Sequence, residues 1–148
     1  MKTVLTGGAF DLLHWAHILF LEQCATYGGR LIVLVASDAR VKHKKGYERP
    51  ILSEDARCAM IRSLRCVDGV VCFSGDPEYP DFKAIDLVKP DVLVVNSDEY
   101  ADYSKEEAYC RERGVELIKV PRIIAPDKMD TGQIIKRILT TNTLRKTE

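Results

Sequence analysis

The sequence has little that would tie it to a polyanion, a bilayer or an oxidising compartment. Its 148 residues carry 22 Lys and Arg against 22 Asp and Glu, so the formal net charge is zero. A dedicated nucleic-acid binder usually shows a basic excess; here only a local cationic site is compatible with the balance. No apolar run reaches the roughly 18 residues that span a bilayer, and no basic-then-apolar leader is seen. The five cysteines, Cys24, Cys58, Cys66, Cys72 and Cys110, are odd in number and contain no C-x-x-C pair, which argues against a disulfide framework and a structural zinc. Cys24, Cys58 and Cys72 sit among apolar residues, as small core hydrophobes do. The composition is that of a reduced, cytoplasmic, globular protein, long enough for one domain with a real core and too short for two. Histidine is scarcer still: His14, His17 and His43 are the whole complement.

What is present is a repeated alternation of short aliphatic runs and helical patterns. Strands are predicted at about Lys2 to Thr6, Arg30 to Ser37, Gly69 to Phe73, Asp91 to Asn96 and Val115 to Val120. The second and fourth, RLIVLVAS and DVLVVN, are nearly continuous in aliphatic residues, the look of parallel strands covered on both faces. Helices are predicted from Trp15 to Tyr27, stopped by Gly28-Gly29; from the N-cap Ser53 to about Arg65; over Asp81 to Val88; from the S-x-x-E box at Ser104 to Gly114; and over Asp130 to Thr140. Val41 to Pro50, with Lys42, His43, Lys44, Lys45 and Arg49, reads as a basic loop. One domain is expected over residues 1–140, with 141–148 a polar, frayed tail. Strands alternating with helices imply an α/β fold: a Rossmann-like, doubly wound, five-stranded parallel sheet with helices on both faces. With strand order 3-2-1-4-5, ligands would bind beyond the carboxyl ends of strands one and four, where the order reverses.

That expectation singles out Thr6 to His17, TGGAFDLLHWAH, which follows the first strand and opens a helix. Glycines let backbone approach a ligand, and the unpaired N–H groups of a helix N-terminus attract phosphate. His14 and His17 stand three apart and share a helix face. Together they point to a polyphosphate pocket. H-x-x-H is also the spacing of a metal pair, but no third ligand has an evident spacing. Dinucleotide binding of the dehydrogenase kind is disfavoured: the turn lacks G-x-G-x-x-G, and no acidic residue ends the second strand before Asp38.

The form G-x-F-D-x-x-H-x-x-H, here Gly8, Phe10, Asp11, His14 and His17, resembles the signature of the cytidylyltransferase-like nucleotidyltransferases, and the resemblance covers nearly the whole chain. Lys44 and Lys45 fall where the family keeps phosphate-binding lysines, and Arg49 to Arg57 is similar to its arginine-bearing helix start. Cys66 to Val71 is similar to its VD-x-V strand. Lys89 to Val94 with Asp98 resembles its KPD-x-L-V strand and nucleotide loop, and Asp130 to Ile135 its S-T-T-x-I-I helix start. The resemblance implies an enzyme that transfers a nucleotidyl group, here leaning to adenylyl, from a nucleoside triphosphate to a phosphorylated small-molecule acceptor such as a sugar phosphate, releasing pyrophosphate. His14, His17 and Lys44 would be catalytic. Gly8, Ala9, Phe10, Arg57, Asp98 and Thr131 would bind nucleotide or phosphate; Asp11 would order the turn or approach the acceptor, and Lys45 would lie on the acceptor side. Magnesium would come bound to the nucleotide. The enzyme would be a homodimer that binds neither nucleic acid nor membrane.

Similar enzymes differ in their acceptor. The run from Arg49 to Phe73 and on to Asp98 is most similar to the adenylyltransferase half of heptose-phosphate enzymes; His14-Trp15-Ala16-His17 is closer to glycerol-phosphate cytidylyltransferases; small archaeal FAD synthases share the length and the lysine loop. Ala16, Ser97, Asp130 and Gly132 depart from the family's usual glycine, glycine, serine and threonine. A carboxylate at position 130 suits a triphosphate site only if it caps the helix and points away, which the D-x-x-Q form of Asp130 and Gln133 allows. These departures keep a nucleotide-binding module without turnover as an alternative. Plainer roles are Arg57 pairing with Glu54 or Asp55, Trp15 packing on the next helix and His43 as a solvated residue.

Overall fold

A computed structural model describes residues 1–73, 82–97 and 101–145. Five strands, β1 (Thr3–Gly8), β2 (Arg30–Ala36), β3 (Gly69–Phe73), β4 (Val92–Ser97) and β5 (Glu116–Pro121), form one sheet in the order β3-β2-β1-β4-β5. Every pairing is parallel. This is the predicted topology, with the chain reversing direction across the sheet between β1 and β4.

The aliphatic run of β2 is continuous because the sheet has two covered faces. Leu31, Val33 and Val35, with Val4, Val92 and Val94, pack against Phe20, Leu21 and Cys24 of α1 (Trp15–Ala25) and Cys58 and Ile61 of α3 (Glu54–Arg62), once α2 (Asp38–Lys45) is counted between them. Ile32 and Leu34, with Leu5 and Leu93, meet Ala84 and Ile85 of α4 (Phe82–Val88) and Tyr109 and Cys110 of α5 (Ser104–Arg113). The one polar side chain buried among the β1 aliphatics, Thr6, is satisfied by donating to the Val94 carbonyl at 2.9 Å. At the far end of the sheet, Asp91 accepts the Thr3 N–H and Asp68 the Leu31 N–H. Gly28 closes the entry to β2, where a Cβ would fall 2.6 Å from both the Lys2 carbonyl oxygen and Val4 Cγ2. No described helix is long and apolar enough to cross a membrane.

Several boundaries differ from the sequence reading, each for a local reason. The basic loop is instead α2 as far as Lys45: Ser37 Oγ accepts from Arg40 N–H, and Asp38 at the start and Lys42 to Lys45 at the end both suit the helix dipole. Only Arg40 and Val41 of that helix are buried, too few to show a periodicity. The N-cap of α5 is Tyr103, so Ser104 lies inside the helix, its N–H donating to Asp102. The last helix, α6 (Thr131–Arg145), runs past the expected end at Thr140. Thr140, Thr141 and Thr143 donate their hydroxyls to the carbonyls four residues back, so these polar side chains are satisfied within the helix. Cys24, Cys58 and Cys110 are buried, but Cys72 is exposed, because β3 is an edge strand. The Ser74 to Pro80 loop and Asp98 lie outside the described residues.

Candidate active site

A cleft of about 950 Å³ opens at the carboxyl ends of β1 and β4, the reversal point of the sheet, with Gly8 and Asn96 in its floor. Its centre is the turn from β1 to α1. Phe10 (φ 50°) and Leu12 (φ 53°) take left-handed backbone conformations that side chains disfavour. The surrounding structure imposes them. Between them Asp11, its side chain 1% exposed, accepts from Ile51 N–H (2.7 Å), Leu52 N–H (2.9 Å) and Arg49 Nε (2.9 Å). Burial pushes the Asp11 carboxyl up, but those two amides and Arg49 outweigh it and hold the group below the ordinary carboxylate range. The Asp11 carbonyl accepts from Thr131 Oγ1 at 3.0 Å, tying the turn to the start of α6.

The two histidines line the cleft. His14 is the N-cap of α1, and its N–H donates to His17 Nδ1 at 3.4 Å. That bond assigns the His17 proton to Nε2. The imidazoles stack with centroids 3.8 Å apart, and the Phe10 ring meets His17 edge-on. Burial, then the neighbouring His14 and Lys45 charges, pulls the His17 pKa down to about 4; burial also lowers that of His14, against the pull of Asp130 and Asp127. The His17 ring is therefore neutral at pH 7 in the free protein. His14 Nδ1 is buried and has no partner among the described residues.

The structure sorts the other predicted site residues. Gly8, Ala9, Phe10, Asp11, Lys45 and Thr131 line the cleft. Lys44 does not; both lysines are exposed on α2, but Lys45 lines the cleft, where partial burial and then Arg49 lower its pKa. His43 is likewise exposed away from the cleft. Arg57 is a correction. It is fully buried on α3 and outside the cleft, donating to the carbonyls of Leu52, Ala9 and Ala36 and to Asp38 Oδ1. It pairs with neither Glu54 nor Asp55, and every guanidinium nitrogen is spent holding the turn against β2 and α2. Trp15 is 47% exposed rather than packed on the next helix. Sequence reasoning missed Arg49 as a cleft residue, together with Arg122 and Lys128. Arg122 was within reach of the carboxyl-end rule, since it directly follows β5.

Asp130 does cap α6, accepting from Gln133 N–H at 2.8 Å, but it stays in the cleft wall and also accepts from Arg122 Nη2 at 2.8 Å. The backbone bond and Arg122 hold its carboxyl below the usual range. Gly132 belongs to the same arrangement, because a Cβ there would lie 3.3 Å from Asp130 Oδ1. Both cleft carboxylates are thus engaged, and no three His, Cys, Asp or Glu side chains converge among the described residues.

A five-stranded parallel sheet of order 3-2-1-4-5 with its cleft at the reversal point is the architecture of the Rossmann-like nucleotidyltransferases. The chain belongs to the cytidylyltransferase-like family, whose profile matches residues 5–142. It is 37% identical to the FAD synthase of Thermococcus sibiricus over 93% of each chain, and 39% identical to that of Pyrococcus abyssi over 91% of this chain and 90% of the other. It is 41% identical to the bifunctional protein HldE of Helicobacter pylori over 93% of this chain but 27% of that protein. Among solved structures, the lipopolysaccharide core biosynthesis protein of Thermoplasma volcanium superposes with a TM-score of 0.68 at 29% identity, over 83% of this chain and 97% of the other.

Proposed function

We propose that this enzyme transfers the adenylyl group of ATP to the phosphate of FMN, releasing pyrophosphate. A phosphate oxygen of the acceptor forms a bond to the α-phosphorus as the bond to pyrophosphate breaks. The protein's part is positioning and charge stabilisation. The observation that carries this reading is the stacked His14–His17 pair, held in the cleft with its tautomer set by the His14 N–H. With Nδ1 of His17 accepting the His14 N–H, the His17 Nε2–H is left as a donor for a phosphate oxygen. Lys45, and not Lys44, is the lysine of the cleft, on the acceptor side; Arg122, Lys128 and the α6 start supply donors for the triphosphate from the opposite wall. Thr131 and Arg57 act as positioning residues through the turn. Magnesium would arrive on the triphosphate's own oxygens and help neutralise them.

FMN is favoured as acceptor by the FAD synthases that match the chain over nine-tenths of both lengths. A sugar phosphate is the second reading, supported by the likeness of the run from Arg49 to Phe73 to heptose-phosphate adenylyltransferases. A pyrophosphate-release assay with ATP or CTP against FMN, glycerol phosphate and heptose phosphate decides. Release with ATP and FMN is expected. Release with CTP alone overturns the adenylyl assignment, and tight ATP binding with no release for any acceptor favours the module without turnover. The five free thiols support a reducing, cytoplasmic setting, and the exposed Ile138 and Leu139 of α6 offer apolar area for a homodimer, which sedimentation velocity tests.

A further inference from the structure

Arg49 is built into the cleft in a way its neighbours do not explain. Its Nε is pinned to Asp11 Oδ2 at 2.9 Å, with the two side chains only 18% and 1% exposed. A planar guanidinium held at one nitrogen has its remaining edge fixed in direction. Yet Nη2 is buried and has no partner among the described residues. An unpaired, buried guanidinium N–H is costly unless a ligand completes it.

The cleft's charges fall into two groups about the stacked imidazoles. His17 interacts with Lys45 and Asp11, and Lys45 with Arg49. His14 interacts instead with Asp130, Asp127 and Arg122. In-line displacement needs the attacking oxygen and the departing pyrophosphate on opposite sides of the α-phosphorus. The α6 side, with Arg122, Lys128 and a helix start, has the donors for a polyphosphate. The opposite side offers one guanidinium edge and one ammonium, a donor set for a single phosphate group.

We propose that Arg49 binds the phosphate group of the acceptor through its Nη2 edge, with Asp11 as the residue that positions it; this rests on the transfer reaction proposed above. Arg49 keeps its protons throughout, and the phosphate oxygen it does not hold is the one that attacks.

The test uses inorganic phosphate as probe, titrated calorimetrically into protein saturated with α,β-methylene-ATP, so that the nucleotide side is filled and no transfer occurs. Phosphate is expected to bind the wild type, and Arg49→Met to weaken it roughly 10- to 100-fold with analogue affinity unchanged. Arg49→Lys keeps a cation opposite Asp11, safeguards the fold and is expected to fall between the two. In a second arm, wild type should prefer FMN to riboflavin, and Arg49→Met should lose that preference. Unchanged phosphate affinity in both variants, no phosphate binding to the nucleotide-loaded wild type, or a parallel loss of analogue affinity overturns the proposal. Failure of the transfer reaction itself would show elsewhere, as no pyrophosphate release by the wild type.

Discussion

His17 carries a pH dependence that follows from its surroundings. Its folded-state pKa is about 4, against an ordinary value of 6.5, so between those values the unfolded chain binds the proton and the folded chain does not. Stability contributed by the neutral, buried ring is full above pH 6.5 and is lost progressively as the pH falls towards 4, by up to about 3 kcal/mol. Urea melts from pH 7.5 to 4.5 should show that fall, and His17→Gln should flatten it. Arg57 is the second residue with a measurable consequence. Arg57→Met would leave three carbonyls and Asp38 without their shared donor, for a loss of roughly 3–5 kcal/mol read as a lower urea midpoint. The histidines and Asp11 were legible in the sequence because their spacing is local. The role of Arg57 was not, since its acceptors at positions 9, 36, 38 and 52 are gathered only by the fold.

At the scale of elements, α6 shows what a departure from a motif does. The Gln133 amide, one that the helix start would offer to phosphate, is already met by the Asp130 carboxylate, which also holds Arg122. An incoming triphosphate must compete with that carboxylate for both. Asp130→Ser retains a capping hydroxyl, removes the competing charge and releases Arg122, so ATP affinity should rise by about tenfold. Calorimetry gives the answer directly, and unchanged or weaker binding would mean that Asp130 orients Arg122 towards the phosphates. The five strands were readable from their aliphatic runs because each is buried on both faces or bounded by turn residues. Helix α2 was not, because KHKK has no apolar repeat and its support, the Ser37 cap and the dipole, is a matter of ends rather than of faces. The same difference puts Lys45 and not Lys44 in the cleft: on a loop both could point inward, whereas on a helix adjacent residues diverge by about 100°.

For the molecule as a whole, the cleft is assembled from segments far apart in sequence and joined at one residue. The Asp11 carboxylate holds the backbone of Ile51 and Leu52, and its carbonyl holds Thr131 at the head of α6. Strand order brings the turn and the end of β4 together at the sheet's reversal point, which is why the place of the cleft was legible before any side chain was placed. The bracing through Asp11 was not, since it joins positions 11, 51, 52 and 131 with no periodic signal. ATP at a hundred times its dissociation constant should stabilise the fold by about 2.7 kcal/mol. Because both cleft walls hang on Asp11, the protection should reach them together, slowing amide exchange at Ile51 and Leu52 as well as at Gln133 and Ile134. Asp11→Ala removes the carboxylate but leaves the carbonyl that Thr131 holds. In that variant ATP should still protect α6 while Ile51 and Leu52 exchange as in the free protein. Equal protection of both segments in Asp11→Ala would show that the ligand, and not Asp11, joins the two walls.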